Sequence, residues 1–335
     1  MMNEFSLIEQ FFADLAAHEP TPSWLRLGIG DDAALLVEES GRETAITCDT
    51  LIEGRHFLAG TDPEALGWKA LAVNLSDLAA MGAVPTGFLL ALTLPEADES
   101  WLTAFARGLF ACARRHGARL IGGDTTRGPR ALTITALGRV PAGEAILRSG
   151  ARAGDDVWVS GQPGRAALGL AVRFGELSPN LPGAGEWLAA LDRPEPRLAL
   201  GRRLRRLAHA MLDVSDGLLG DLRHLLERSA PPPLTAEIEV ARLPLAPLVA
   251  GGAPPERARA ALLTGGDDYE LLFTAAPESR QRLAQLAGEL NLPLSRIGRL
   301  VPATTHPIVL IKPDGRRTLP AVLGYDHFRP CQEHR

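Results

Sequence analysis

At 335 residues with 46% hydrophobic content, the chain is long enough for two ordinary domains that each bury a core, and one small module is excluded. Thirty-five basic residues against 40 acidic ones give a formal charge of -5, and no basic run is interleaved with aromatics, so nucleic acid is not an expected partner. Cys48, Cys112 and Cys331 are too widely spaced for a Cys-x-x-Cys pair and odd in number for a disulfide framework, which suits a reducing, cytoplasmic compartment.

Ser6 followed by Glu9 forms a capping box, and apolar residues at helical spacing after it predict a first helix to about Ala17. The same stretch carries no basic residue before Arg26, so no signal peptide is expected. GIGDDA (28 to 33) fits a dinucleotide-binding glycine pattern, but the following AALLV (33 to 37) reads as a strand where that pattern needs a helix. Strands are predicted at TAITC (44 to 48), TGFLLALTL (86 to 94) and ALTITALGRV (131 to 140), with helices over 63 to 82 and 97 to 116 among them. The apolar run Leu71 to Leu94 is interrupted by Asn74, Asp77, Gly82 and Pro85 and reads as buried core, not as a membrane span.

A linker-like run, RSGARAGD (148 to 155), introduces a second half: strand VWVS, helices near 164 to 175 and 195 to 209, strand MLDVS, helix 217 to 228 and strand AEIEV. Further strands are predicted at YELLFT (269 to 274), near 296 to 300 and at PIVLI (307 to 311), while 178 to 185, 230 to 234 and 251 to 255 read as loops. The fold class is therefore α/β, with domains expected at 1–147 and 148–335.

The aspartates carry the chemical information. They gather beside glycine at predicted strand ends, in Gly30-Asp31-Asp32, Gly122-Gly123-Asp124, Asp213-Val214-Ser215-Asp216-Gly217 and Gly265-Gly266-Asp267-Asp268, while Asp49 closes TAITC. Asp77 lies in the apolar helix KALAVNLSDLAAMGA, where an uncompensated carboxylate costs several kcal/mol. Asn74, one turn earlier, can orient that carboxylate but cannot balance its charge; a cation can. Magnesium takes oxygen ligands, usually one or two carboxylates completed by water and substrate phosphates, and glycine lets backbone approach a phosphate closely. Any single Gly-Asp pair is more often a turn or a helix cap, and Asp216 can be read as a cap of the helix after it. The only lysines are Lys69 and Lys312, neither preceded by glycine, so no P-loop is present and nucleotide phosphates would fall to metals and to arginines such as Arg127 and Arg148.

The motifs FSLIEQFF, LGIGDDAALL, TCDTLIEGRHF, KALAVNLSDLAAMGA, LIGGDTTRG, LRSGARAGD, DVSDGLLGDL, LTGGDDYELLF and GYDHF span residues 5 to 328. Together they resemble thiamine-monophosphate kinase, in the aminoimidazole-ribonucleotide-synthetase-like superfamily of ATP-dependent enzymes. The resemblance implies transfer of a phosphoryl group from ATP to thiamine monophosphate on several magnesium ions. It implies metal ligands at Asp32, Thr47, Asp49, Asp77, Asp124, Asp213 and Asp216, with Cys48 contributing backbone. ATP would meet Gly123, Asp124, Arg148 and Ser215, and the thiamine moiety His56, Asp267 and Tyr325. Two departures stand out: Cys48 where a hydroxyl residue is usual, and Asp267 where Glu is common. The resemblance also implies an N-terminal domain whose sheet pairs with its copy in a homodimer, and a C-terminal α/β domain covering the ATP site. Alternatives are a selenophosphate or aminoimidazole-ribonucleotide type of synthetase, and a silent nucleotide-binding protein. Selenide chemistry would want a reactive cysteine in an early glycine-rich loop, and the first cysteine is Cys48, at a strand end.

Overall fold

The computed structural model describes residues 9–13, 21–27, 29 and 34–322. Two compact units divide the chain: the described residues of Met1–Ala145 with Asp192–Arg205 form one, and those of Ile146–Leu191 with Arg206–Arg335 the other. The first helix predicted from Ser6 lies mostly outside the described residues, of which Glu9–Ala13 form a single π-helical turn.

The first unit is built on a four-stranded sheet ordered β3-β6-β4-β5, with β3 Arg42–Ile52, β4 Val84–Leu94, β5 Arg119–Arg127 and β6 Ala131–Pro141. Two short strands, β1 Leu25–Leu27 and β2 Leu35–Leu36, pair separately. Helices α1 (Pro63–Ala80) and α2 (Glu99–His116) cover one face of the larger sheet. Asp62 and Asp98 cap them, each accepting two backbone N–H groups of the first turn, and Pro63 occupies the first helical position, where its missing N–H costs nothing. Alternation along β6 buries Leu132, Ile134, Ala136 and Val140 against the helices, the period-2 pattern of a half-covered sheet. The two helices touch through glycine: a Cβ at Gly67 would collide with the Phe105 carbonyl, and one at Gly108 with the Glu64 carbonyl.

Asp192–Arg205 belongs with this unit rather than with the sequence around it. The indole N–H of Trp68 donates to Pro194 O at 2.8 Å, and Arg115 donates to Glu195 at 2.9 Å. Its helix α5 (Leu198–Leu204) buries Leu200 and Leu204, and Gly201 lies directly on the Ala79 carbonyl. The helix predicted over 195 to 209 is shorter because Arg205 turns extended and Arg206 adopts a left-handed φ of 66° before the next strand.

The second unit carries a seven-stranded sheet ordered β13-β12-β9-β11-β7-β10-β8. Its strands are β7 Asp156–Ser160, β8 Ala208–Val214, β9 Leu234–Glu239, β10 Glu270–Ala275, β11 Leu294–Pro302, β12 Ile308–Ile311 and β13 Arg317–Thr318. β10 lies antiparallel between β7 and β8, so the loops preceding β10 and following β8 emerge at the same end. Val157, Val159, Leu212, Val214 and Leu272 pack in one apolar cluster with Leu168 of α3 (Arg165–Arg173), Leu222 of α6 (Leu218–Ser229) and Leu262 of α8 (Pro255–Thr264). Helices α4 (Ala184–Asp192), α7 (Ala246–Ala250) and α9 (Arg280–Leu290) complete the unit. Pro255, read from sequence as part of a loop, opens α8 as its first residue.

No described helix is long and apolar enough to cross a membrane, and the run Leu71–Leu94 divides between α1 and β4, both largely buried. The Gly67–Gly108 contact sets how closely α1 approaches α2. Gly108→Ala is expected to lower unfolding stability by at least ~1 kcal/mol net, overpacking outweighing the better helix propensity of alanine. The urea midpoint measures this, and an unchanged midpoint would mean that the helices separate at no cost.

Candidate functional site

In the first unit the side chains of β3 alternate. Thr47, Asp49 and Leu51 face α1, whereas Ile46, Cys48, Thr50 and Ile52 lie on the face that no described helix of the unit covers. The Thr47 hydroxyl donates to Asp77 Oδ2 on α1. Among the described strands β3 pairs only with β6, and its Asp49 N–H is satisfied instead by Asn74 Oδ1 at 3.1 Å. Asn74 is fully buried and its amide donates in turn to Ala70 O at 3.1 Å, fixing which end of the amide meets Asp49. Thr47, Asp49 and Asp77 are thus brought together on the helix side of the sheet. The Cys48 thiol points the other way and accepts from the Thr135 hydroxyl at 3.3 Å.

His56 follows β3 in a turn, where its Nδ1 accepts the Ile52 N–H at 3.0 Å; the neutral imidazole therefore carries its proton on Nε2. Gly122-Gly123-Asp124 does not end a strand, as predicted, but lies within β5. Two glycines and an aspartate disguise a strand by propensity, yet parallel pairing with β4 requires Gly123, where a Cβ would strike the Leu90 carbonyl. The register aligns Asp124 with Ala91, Thr133 and Thr50, hence on the uncovered face and three strand spacings from β3, roughly 14 Å. Within this unit Asp124 is not brought to the Thr47–Asp77 pair. Asp32 and Tyr325 lie outside the described residues.

In the second unit β8 ends at Val214, with Asp213 buried beside Leu271 of β10, and the chain turns through Ser215 and Asp216 into α6. Both turn residues donate their backbone N–H to Asp221 Oδ2, at 3.1 and 3.2 Å. Burial, reinforced by the Asp216 charge, pushes the Asp221 carboxyl up to about 7, against the pull of those two N–H donors and the Arg148 charge. Arg148 itself is exposed; its carbonyl accepts from the Ser229 hydroxyl at 3.2 Å, which also accepts the Ala151 N–H. The loop before β10 joins the same turn, for the Asp267 N–H donates to Ser215 O and the Tyr269 N–H to Val214 O, both at 2.8 Å. Arg148, Asp213, Ser215, Asp216 and Asp267 are therefore neighbours.

Three acids that sequence reasoning left unassigned support this arrangement. Besides Asp221, Asp268 accepts from Gly164 N–H at 2.6 Å and Ala166 N–H at 3.3 Å, binding the start of α3 to the loop before β10. Glu270 accepts from the Ser160 hydroxyl at 2.6 Å and Gln162 N–H at 3.2 Å, with Arg165 3.8 Å away. A charged residue inside an otherwise apolar stretch, as in DGLLGDL and DDYELLF, is the pattern that marks them. Among the described residues no three His, Cys, Asp or Glu side chains gather closely enough to hold a metal by themselves.

Part of residue Asp268 keeps some surface, but its carboxyl group is enclosed, and burial raises it well above the usual carboxylate range, aided by Glu270 and opposed by the two N–H donors and Arg165. The folded protein therefore holds this proton to higher pH than the unfolded chain does. The group's contribution to stability is full below about pH 4, the unfolded value, and is lost as pH rises through the raised folded value. Measured by urea unfolding in chelator, the stability of the wild type relative to Asp268→Asn is expected to fall between pH 4 and neutrality. A difference that does not vary with pH would place the ionised carboxylate in water.

Two family models cover most of the chain: AIR synthase related protein, N-terminal domain, matches residues 30–140, and the corresponding C-terminal domain matches residues 152–310. The thiamine-monophosphate kinase of Escherichia coli (strain K12) is 43% identical over 326 residues, 97% of this chain and 98% of that protein. Among solved structures, the thiamine-monophosphate kinase from Stenotrophomonas maltophilia K279a superposes with a TM-score of 0.84 at 45% identity, covering 95% of this chain and 98% of the other. AaThiL complexed with AMPPCP and TMP superposes with a TM-score of 0.74 at 30% identity, covering 98% and 99%. With matches that run through both units from end to end, the chain belongs to the thiamine-monophosphate kinase family of AIR synthase related proteins.

Proposed function

We propose that this chain is the enzyme that phosphorylates thiamine monophosphate with ATP, giving thiamine diphosphate and ADP. The observation that carries the reading is the whole-chain likeness to AaThiL, a relative that holds an ATP analogue and TMP, in a protein whose own acids are arranged in two tethered sets. The chemistry agrees with the residue inventory. A phosphate monoester with a second pKa near 6 is already ionised at neutral pH, so the acceptor needs no general base. What opposes reaction is the repulsion between triphosphate and acceptor, and catalysis reduces to alignment and charge neutralisation.

The donors available suit magnesium: carboxylates of Asp49, Asp77, Asp124, Asp213 and Asp216 and the Thr47 hydroxyl are hard oxygens. Asp32 is included by motif position. When bound, magnesium would neutralise phosphate charge and align donor with acceptor oxygens. In this reading Asn74 fixes the Asp49 backbone and Thr47 fixes the Asp77 carboxylate, so both present oxygens without rearrangement. Cys48 contributes backbone only, since its thiol faces away from Thr47 and Asp49 and is a poor magnesium ligand. Gly123, Asp124, Arg148 and Ser215 are assigned to ATP, and His56, Asp267 and Tyr325 to the thiamine moiety. The free thiols of Cys48 and Cys112 support cytoplasmic operation.

The uncovered face of the four-stranded sheet supports a homodimer in which it meets its own copy. Ile46 is 66% exposed and Ile52 44%, with Leu89 beside Thr133 and Thr135 between them and β5. Asp124 shares that face, so its proposed contact with nucleotide belongs to the paired state.

Asp77→Asn is expected to leave a folded protein whose formation of thiamine diphosphate falls at least ~100-fold, the scale of a lost electrostatic stabiliser; wild-type turnover would remove Asp77 from the site. Ile46→Glu is expected to give a monomer in sedimentation velocity at concentrations where the wild type is a dimer. A wild-type dimer unaffected by this charge would exclude the sheet face as the interface.

A further inference from the structure

In the loop before β10, two residues with side chains, Asp267 and Tyr269, have left-handed backbones, with φ of 66° and 53°. Such a conformation is costly and is rare for a bulky aromatic, so the surroundings must enforce it. The enforcement is visible. Residues 268 and 270, between and after them, are the acids anchored to Gly164, Ala166 and Ser160. The backbone N–H groups of 267 and 269 are the ones bonded to Ser215 O and Val214 O, and Gly266 leaves no room for a side chain against Ser215 O. The consequence is that Asp267 and Tyr269 are turned together, and the Tyr269 hydroxyl donates to Asp267 Oδ1 at 3.0 Å. Tyr269 is 8% exposed, so this hydroxyl is held by packing of its ring.

We propose that Tyr269 is a positioning residue for the acceptor site: its hydroxyl holds the Asp267 carboxylate in the orientation that meets the thiamine moiety. The proposal rests on the functional reading above and on Asp267 as a substrate contact. An aspartate side chain has few rotors to search and short reach, so one well-placed donor limits its orientation. Because the same turn is bonded to Ser215, the acceptor contact is also held in register with the residues assigned to ATP and metal.

The test is steady-state kinetics on the full-length wild type, Tyr269→Phe, Asp267→Asn and the double variant, with ATP and thiamine monophosphate varied separately and melting temperatures measured alongside. Tyr269→Phe is expected to raise KM for thiamine monophosphate about tenfold, the size of one hydrogen bond to a charged group. KM for ATP, kcat and melting temperature should stay close to wild type. The double variant should be no worse than Asp267→Asn alone, because the two groups act as a unit. Wild-type kinetics in Tyr269→Phe together with a raised KM in Asp267→Asn would overturn the positioning role while leaving the substrate contact in place. A fall in melting temperature with equal changes in both KM values would make Tyr269 merely structural. If Asp267→Asn binds thiamine monophosphate normally, the proposal falls with that assignment, and if the wild type forms no thiamine diphosphate, the functional reading itself falls.

Discussion

Carboxylates set close together raise one another's energy, and in this protein each described acid with a known partner is tied to a donor that limits the cost. Asp77 takes the Thr47 hydroxyl; Asp221 takes the N–H groups of Ser215 and Asp216; Asp268 takes those of Gly164 and Ala166; Glu270 takes the Ser160 hydroxyl and Gln162 N–H. The same bonds give the loops their shape. A turn such as Ser215–Asp216 has backbone donors left over at the start of a helix, and Asp221, from inside that helix, satisfies them. Charge tolerance and loop geometry are thus one problem with one solution: an interior acid satisfies a backbone so that its neighbour can present a carboxylate outward.

Much of this architecture is legible in the sequence, for stated reasons. The strands around Thr47 and Leu132 and the helices around Asn74 and Phe105 are long and strongly patterned, and their caps, Asp62 and Asp98, are of the favoured types. The aspartate-glycine motifs stand out in the sequence because their residue types are poor at forming cores, and those at 213–217 and 265–268 meet in one loop cluster of the second unit. β5 was hidden by that same composition, since its glycines are dictated by close approach to β4 and not by a turn. Likewise, the supporting acids Asp221, Asp268 and Glu270 are ordinary letters until the backbone donors that they meet are known, and those donors come from distant parts of the chain.

The alternation of β3 also separates two roles that sequence had placed side by side. Thr47 and Asp49 turn toward α1, while Cys48 turns to the opposite face, so a change of side chain at position 48 leaves the acidic side of the strand unaltered. At position 267 the carboxylate has a local partner of its own in the Tyr269 hydroxyl.

The Asp192–Arg205 segment has a bearing on how this architecture can be inherited. The two family-model matches, 30–140 and 152–310, look like exchangeable cassettes, yet the second contains the helix that seals the first, with Gly201 on Ala79 and Pro194 on Trp68. A recombination event near residue 145 would therefore leave one parent's α1 beneath another parent's cover. Crossovers between diverged relatives should survive only where the residues on both sides of that seam travel together, which ties the evolution of the two halves more tightly than their separate sheets would suggest.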